Sequence, residues 1–201
     1  MIPHGRGSGD GVVVATRNEH KLRELSELLS DLRLVPLSDE VELPPEGGDT
    51  FTANALAKAR AAHAATGGAA LADDSGIEAA ALSGAPGVRS ARYAGKDASD
   101  EENLAKLLRD VGGDRRVAYV CVLAYVNPFG EEGVFEGRCE GLLAEHPRGS
   151  GGFGYDPAFL PNEVPDGRTM AELSPREKNA ISHRGRAARM LAAHLAIGRQ
   201  G

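Results

Sequence analysis

The sequence is poor in aromatic and sulfur-bearing side chains. Its 201 residues contain no Trp, five Phe, four Tyr and two Cys. Two cysteines are too few for a disulfide scaffold, and Cys121, within the apolar run VAYVCVLAYV, is predicted to be a buried thiol. No stretch approaches the ~20 apolar residues of a membrane span, and the leading segment MIPHGRGSGDG lacks the apolar part of a signal peptide. We therefore expect a soluble, cytoplasmic protein with no membrane partner.

The charge balance restricts the partners further. The formal net charge is −6 at pH 7, which disfavours a broad nucleic-acid surface. A small anionic ligand is compatible with this charge where local cations, backbone N–H groups or a divalent metal neutralise it. Hydrophobic residues make up 41% of the chain and charged residues 26%, as is ordinary for a folded domain of this length.

Strand-like and helix-like segments alternate along the chain, which predicts an α/β fold. Apolar residues 12–15 indicate a strand, and leucines at helical spacing predict a helix in TRNEHKLRELSELL. Asp49 or Thr50 can cap a second helix that ends near Gly67. Further along, Ser99 and Glu102 form a predicted capping box.

The second half of the chain continues this alternation. Residues 117–126 are apolar at successive positions, as in a central strand covered on both faces, and residues 134–138 suit a partner strand. Ser174, Pro175 and Glu177 provide a cap, a first-turn proline and a capping-box acid for one last helix.

The first functional candidate is the junction between the first predicted strand and its helix. A helix start presents unpaired backbone N–H groups and the positive end of the helix dipole, so it suits a phosphate. Short side chains and a lysine one turn inside can add donors to the same anion. The alternative is an ordinary capped helix with a surface lysine. The candidates here are Thr16, Arg17, Asn18, Glu19, His20 and Lys21.

A pair of acids follows the next short apolar segment, in the sequence LADDSG at residues 71–76. We predict an acidic turn at the carboxyl edge of the sheet, where α/β proteins often bind ligands. Because neighbouring side chains on an extended backbone point in opposite directions, only one acid is expected to enter the site. Carboxylate oxygens suit Mg²⁺ bridged to substrate phosphates. The alternative is an Asx turn with solvated acids.

The loop SGGFGYDP, residues 150–157, places two aromatic side chains among three glycines. Glycines let the backbone approach a flat ligand, Phe153 offers a stacking face, and Asp156 can accept hydrogen bonds from ring nitrogens. This combination suits a purine base, although an aromatic residue that covers the core is the alternative. A basic trio on the last predicted helix would complete a polyphosphate site: Lys178, His183 and Arg184.

Four motifs, in order along the chain, resemble those of one enzyme family. They read TRNEHK, LADDSGIEAAALSGAPGVRSARYAG, GGFGYDPAF and EKNAISHRGRA. Together they are similar to the inosine/xanthosine triphosphate pyrophosphatases of the Ham1-like group, the dITP/XTP pyrophosphatases of bacteria. The resemblance covers residues 12–195, which is nearly the whole chain.

The resemblance implies an elongated α/β fold of two lobes around a long central mixed sheet, with the nucleotide in the cleft between the lobes. It implies a single pyrophosphatase domain at residues 12–197, after a flexible tail at residues 1–11. Members hydrolyse ITP, dITP and XTP to the monophosphate and pyrophosphate with Mg²⁺, which removes deaminated purines from the nucleotide pool. They form homodimers.

Carried over by position, the resemblance also assigns roles to single residues. Asp74 would be the catalytic carboxylate that activates water and contacts the metal, and Glu46 would help to hold Mg²⁺. Ser75 would contact substrate, and residues 16–21 would hold the phosphates. Recognition of the base and remaining phosphate contacts would fall to a larger set: Phe153, Gly154, Tyr155, Asp156, Lys178, His183 and Arg184.

Two departures from the family pattern leave alternatives open. Arg17 stands where the family usually has a small residue, so it either adds a cation beside the phosphates or points to solvent. The segment PPEGGDTF differs from the family pattern around Glu46, which makes Asp49 a competing metal ligand.

Rival functions come from other classes. A Maf-like pyrophosphatase would act on pyrimidine or modified nucleotides, and a nucleotide-binding sensor would keep the pocket without turnover. A haloacid-type phosphatase is disfavoured because its acid motif is D-x-D, whereas this chain has D-D-S.

Overall fold

The computed structural model describes residues 11–198, and the predicted tail lies outside them except for Gly11. Within these residues, six strands form one mixed sheet in the order β2-β1-β3-β4-β5-β6. β1 is parallel to both neighbours, and each later pair is antiparallel. This confirms the predicted α/β class with a mixed sheet. The strands are β1 (Val12–Val14), β2 (Leu34–Pro36), β3 (Ala70–Ala79), β4 (Arg116–Val126), β5 (Glu132–Leu143) and β6 (Phe159–Pro161).

Helices begin where side-chain caps satisfy their first backbone N–H groups. The N-caps of α1, α2 and α3 are Asn18, Thr50 and Ser99, so Thr50 rather than Asp49 starts the second helix. Gly67, in the left-handed conformation at φ 68°, ends α2 as predicted. The helices are α1 (Glu19–Leu28), α2 (Phe51–Thr66), α3 (Asp100–Asp110), α4 (Pro175–Ile181) and α5 (His183–Gly198).

β4 is buried on both faces, which confirms the prediction of a central strand. Cys121 and Leu123 pack with residues of α1 and α5 on one face. Val120 and Val122 pack with the alanines of α2 on the other face. The Cys121 thiol is fully buried, as its apolar surroundings in the sequence predicted. None of the helices within residues 11–198 has the length and apolar character needed to cross a membrane.

The predicted acidic turn at residues 73–76 is wrong, because these residues lie inside β3 and pair with β4. Position 76 requires glycine because another segment packs closely against the strand there. A Cβ atom on Gly76 would lie 2.4 Å from both the Gly87 carbonyl oxygen and the Ser90 Oγ. The 3₁₀ segment Gly87–Arg92 therefore rests directly on the strand.

The prediction of one last helix is also wrong, because Ser182 interrupts the helix and divides it into two. This residue has an extended backbone (φ −63°, ψ 154°), and its hydroxyl accepts a hydrogen bond from Gly185 N–H at 3.0 Å. Lys178 thus lies on α4, whereas His183 and Arg184 open α5. β5 is also longer than the predicted residues 134–138. The division into two lobes stays a prediction.

Candidate active site

One cavity of about 100 Å³ gathers most of the predicted site residues. Its wall combines the start of α1, the middle of β3, the loop at residues 150–157 and the α4–α5 junction. The predicted residues that line it are Asn18, Lys21, Ser75, Phe153, Gly154, Tyr155, Asp156, Lys178, His183 and Arg184.

Asp73 is fully buried on one face of β3 and is surrounded by donors. Its Oδ2 accepts hydrogen bonds from Arg184 Nε and Cys121 Sγ, both at 3.0 Å. Its Oδ1 accepts one from Ser75 Oγ at 3.2 Å and forms an ion pair with Lys21. Burial alone would raise the pKa of Asp73, but the Arg184 and Lys21 cations lower it well below its usual value. Asp73 is therefore a fixed anion that positions these two cations.

Asp74 lies on the opposite face of β3 and contacts α2 instead. Its Oδ2 accepts a hydrogen bond from Asn54 Nδ2 at 2.9 Å, and its Oδ1 lies 3.6 Å from Lys58 Nζ. Burial raises the pKa of Asp74, and the opposing effects of Lys58 and Asn54 do not cancel it. The carboxylate thus has more proton affinity than an ordinary aspartate. The two acids face opposite ways, as the extended backbone predicted.

Sequence reasoning missed Asn54 and Lys58. They stand four residues apart in FTANALAKARAA and share one face of α2, where both are nearly fully buried. Two polar residues at this spacing in an alanine-rich helix were a signal in the sequence. Their partner Asp74 lies 20 residues from Asn54, so the pattern alone did not identify it.

Oxygen atoms surround the ammonium group of Lys58. Besides Asp74, it contacts Glu46 Oε1 at 2.6 Å and the Asp73 carbonyl oxygen at 2.7 Å. Burial lowers the pKa of Lys58, but Asp74 and Glu46 raise it above its ordinary value overall. A cation is therefore stable among these hard oxygens.

The predicted metal ligands Glu46 and Asp74 meet at this ammonium group. Arg92 anchors the Glu46 segment, because its guanidinium donates to the Glu46 carbonyl oxygen at 2.8 Å. The competitor Asp49 is exposed. Within residues 11–198, no group of three His, Cys, Asp or Glu side chains is arranged to hold a metal ion. The carboxylates suit Mg²⁺, but substrate oxygens would have to complete its coordination.

The loop at residues 150–157 is shaped by its glycines and by Asp156. Gly152 and Gly154 have positive φ angles of 71° and 63°, and a Cβ atom on Gly152 would lie 2.0 Å from Asp156 Oδ2. That oxygen accepts hydrogen bonds from Phe153 N–H at 2.9 Å and Lys178 Nζ at 2.6 Å.

Both oxygens of Asp156 are engaged within the protein, since its Oδ1 accepts a hydrogen bond from Tyr119 Oη at 3.1 Å. The carboxylate therefore anchors Phe153 and Lys178. The prediction that it accepts hydrogen bonds from a base stays untested. Tyr155 packs inward, where its hydroxyl donates to the Ser90 carbonyl oxygen at 2.7 Å.

Phe153 is half-buried and lies beside two cations. Lys178 Nζ is 5.1 Å from the centre of its ring, and Arg184 Cζ is 5.8 Å from it. Glu24 of α1, which sequence reasoning missed, joins these cations by pairing with Lys178 at 2.7 Å and with Arg184. Burial lowers the pKa of Lys178, but Asp156 and Glu24 raise it overall. Glu24 lies more than 150 residues from its partners, so no local pattern revealed it.

His183 is buried and stacks on Tyr119, with ring centres 4.6 Å apart. Burial, reinforced by the Arg184 and Lys178 cations, lowers the pKa of His183 well below its ordinary value. The ring is therefore neutral at pH 7. Its buried Nδ1 has no hydrogen-bond partner in the described part of the chain, so one residue that lines the site cavity has an unsatisfied polar atom.

The predicted phosphate-binding segment divides into different roles. Thr16 Oγ1 accepts a hydrogen bond from Asn18 N–H at 3.1 Å, and Asn18 caps α1. Arg17 turns away to the loop after β2, where its guanidinium donates to the Leu37, Ser38 and Val41 carbonyl oxygens at 2.7–2.9 Å. The Arg17 guanidinium therefore stabilises the loop after β2 and does not add a cation beside the predicted phosphate site. Glu19 and His20 are exposed, and the His20 ring stacks on Phe153.

The chain is similar to known proteins over most of its length. The model of the Ham1 family matches residues 12–194. A protein of Geobacter sulfurreducens named dITP/XTP pyrophosphatase is 49% identical over 192 residues, covering 92% of this chain and 96% of that relative. A protein of the same name from Mycobacterium tuberculosis is 51% identical over 191 residues, covering 90% of this chain and 92% of that relative.

Solved structures show the same fold. The HAM1 protein from Coxiella burnetii superposes with a TM-score of 0.83 at 46% identity and covers 92% of this chain and 98% of its own. The Staphylococcus aureus Ham1 protein gives 0.82 at 41% identity, with the same coverage of both chains. The chain belongs to the Ham1 family.

Proposed function

We propose that this protein hydrolyses nucleoside triphosphates that carry a deaminated purine, namely ITP, dITP and XTP, to the monophosphate and pyrophosphate. The names of its relatives support this activity. The observation that carries the proposal is the cavity that joins an aromatic stacking face, Phe153, to Lys21 and Ser75. Beside it on β3 stand two buried carboxylates in different protonation environments.

The base end offers donors that suit a 6-oxopurine. Hypoxanthine and xanthine carry a 6-oxo group and a protonated N1, whereas adenine has the opposite pattern of donors and acceptors. Lys178 and Arg184 are cationic donors near the Phe153 ring. Adenine would leave such donors unpaired, at about 1–3 kcal/mol per group. Preference for 6-oxopurines over adenine then follows from the hydrogen-bond pattern, whereas the expected discrimination against guanine, which has the same 6-oxo and N1–H groups, rests on the names of the relatives.

The phosphate end of the site supplies the general base that activates water for hydrolysis. Water attacks the α-phosphorus, the bond from that phosphorus to the bridging oxygen of the β-phosphate breaks, and pyrophosphate leaves. Asp74 takes the proton of the attacking water, which its raised pKa favours. Lys21 and the backbone N–H groups at the start of α1 stabilise the negative charge on the phosphate oxygens.

Mg²⁺ fits the carboxylates at the same end, where Asp74 and Glu46 would hold it. When bound, the ion would neutralise charge on the phosphates. The carboxylates of Asp74 and Glu46 support this assignment, because they are hard oxygen ligands of the kind that Mg²⁺ prefers and they converge near Lys58. We expect EDTA to stop the reaction, whereas full activity without metal would contradict the assignment.

A pyrophosphate-release assay with Mg²⁺ on ITP, XTP, dITP, GTP, ATP, dTTP and UTP tests the function. We expect pyrophosphate from the first three and very little from ATP or GTP. A preference for dTTP or UTP would favour the Maf-like alternative. Tight ITP binding without turnover would identify a sensor.

The resemblance also motivates two further proposals, that the protein forms a homodimer and that it lies in the cytoplasm. Sedimentation analysis tests the first, since a species of one chain mass at micromolar concentration would exclude the dimer. Fractionation of the source cells tests the second.

A further inference from the structure

A histidine from the first turn of α1 contacts the aromatic residue of the opposite loop. The rings of His20 and Phe153 are nearly parallel, at 16°, with centres 5.1 Å apart. This is an offset stack of the kind that stabilises aromatic pairs. His20 belongs to the segment that sequence reasoning assigned to phosphates, yet its ring lies against the predicted base-binding residue.

Phe153 separates two neighbouring cavities. It lines the site cavity together with Ser75 and His183, and it also lines a second cavity of about 330 Å³. His20 lines this second cavity, whose apolar wall includes Met170 and Leu173. The His20 ring therefore covers Phe153 from the side of the second cavity.

The backbone beside Phe153 gives the ring little support of its own. It stands between Gly152 and Gly154, both in a left-handed conformation that glycine enters and leaves easily. Hydrogen bonds to Asp156 and Asp100 fix the backbone N–H groups of residues 153 and 154, but they do not fix the plane of the ring. A stacked partner does fix that plane.

We propose that His20 is a positioning residue for base recognition, which holds the Phe153 ring so that its other face can stack on the purine. This inference rests on the proposed function, because it needs a base at Phe153. Bound substrate would then form a three-layer stack of His20, Phe153 and purine. His20 acts through Phe153 and not on the phosphates.

Steady-state kinetics of His20→Ala with ITP test this role. We expect KM to rise about 2- to 10-fold with kcat nearly unchanged, the range that corresponds to one aromatic stack. The inhibition constant of inorganic tripolyphosphate, which probes only the phosphate end, should stay the same. His20→Phe, which keeps a flat ring, should restore most of the affinity. His146→Ala, which removes an exposed histidine from another loop, is the matched control.

A double-mutant cycle sharpens the test. In a Phe153→Ala background, His20→Ala should have no further effect on KM, because the ring that it positions is absent. Equal effects in both backgrounds would overturn the proposal, as would weaker tripolyphosphate inhibition by His20→Ala, which would place His20 on the phosphates. A lower KM in His20→Ala would show that His20 blocks the base and would also overturn it.

The failure of the proposed function has a different signature. In that case the wild-type protein releases no pyrophosphate from ITP, and the inference falls with it. Failure of the inference alone leaves an active wild type and a His20→Ala variant with unchanged KM.

Discussion

Asp73 and Asp74 are adjacent in the chain, yet the two faces of β3 give them different chemistry. On the face of α1 and α5, Asp73 meets the Lys21 and Arg184 cations, and its pKa is lowered despite complete burial. On the face of α2, Asp74 has its ion pair with Lys58, at 3.6 Å, while Lys21 also favours its charged form, and burial still raises its pKa.

The difference shows that the role of a buried acid depends on the number and distance of its cationic partners and not on its residue type. A carboxylate with two close cations stays ionised and acts as a structural anchor. A carboxylate with less compensation keeps affinity for a proton and can serve as a general base. Substitutions of Asp73, Asp74 and Lys58 test this difference between the two acids.

The largest expected effect is on turnover in Asp74→Asn. The amide cannot accept the proton of water, so kcat for ITP should fall by on the order of 10²–10⁴-fold. Binding of ITP, measured by calorimetry, should stay within a few-fold of wild type, because the pocket is otherwise intact. Wild-type turnover in this variant would show that Asp74 is not the general base, and the proposed difference in role between Asp73 and Asp74 would be wrong.

The next effect is on stability, in Asp73→Asn. Removing this anion leaves Lys21 and the fully buried Arg184 without their shared partner, which should cost about 3–5 kcal/mol of unfolding free energy. Urea denaturation measures the loss. Asp114→Asn, which breaks an exposed pair with Arg116, is the control and should change stability far less.

The pH dependence of this stability has a definite sign. Because the folded state lowers the pKa of Asp73, its contribution is complete above the unfolded value, near pH 4, and is lost as the pH falls through the folded value. The stability difference between wild type and Asp73→Asn should therefore shrink below about pH 4. A constant difference down to strongly acid pH would contradict the fixed-anion role.

The smallest expected effect is a shift of the pH profile in Lys58→Gln. The Lys58 cation lowers the pKa of Asp74, so its removal should move the acid limb of kcat/KM toward higher pH. Arg60→Gln removes a charge from the same helix at an exposed pair with Glu132, so it is the matched control and should leave the limb in place. An unmoved limb in Lys58→Gln, with folding verified by circular dichroism, would show that Asp74 does not control it.

Local patterns in the sequence predicted much of the fold. The apolar run of β4 and the caps Ser99 and Ser174 depend on neighbouring residues, so the sequence alone predicted them. The turn predicted at residues 73–76 was wrong. Gly76 is required because Gly87 and Ser90 pack closely against it, and not because its own backbone turns.

The candidate site was readable only where its residues stand in motifs. Lys21, Ser75 and Phe153 were found, and they line one cavity. Glu24 and Asn54 were missed because their partners lie far away in sequence and meet them only through packing of α1 and α2 against the sheet. The orientation of Arg17 likewise depends on carbonyl groups about 20 residues away.

One oxygen atom, Asp156 Oδ2, receives both the backbone N–H of Phe153 and the ammonium of Lys178. The backbone position of Phe153 and the position of the cation over its ring therefore depend on the same atom. Any substitution that displaces that atom alters both at once. An engineer who wishes to retune base preference while keeping affinity must therefore work at positions that do not touch it.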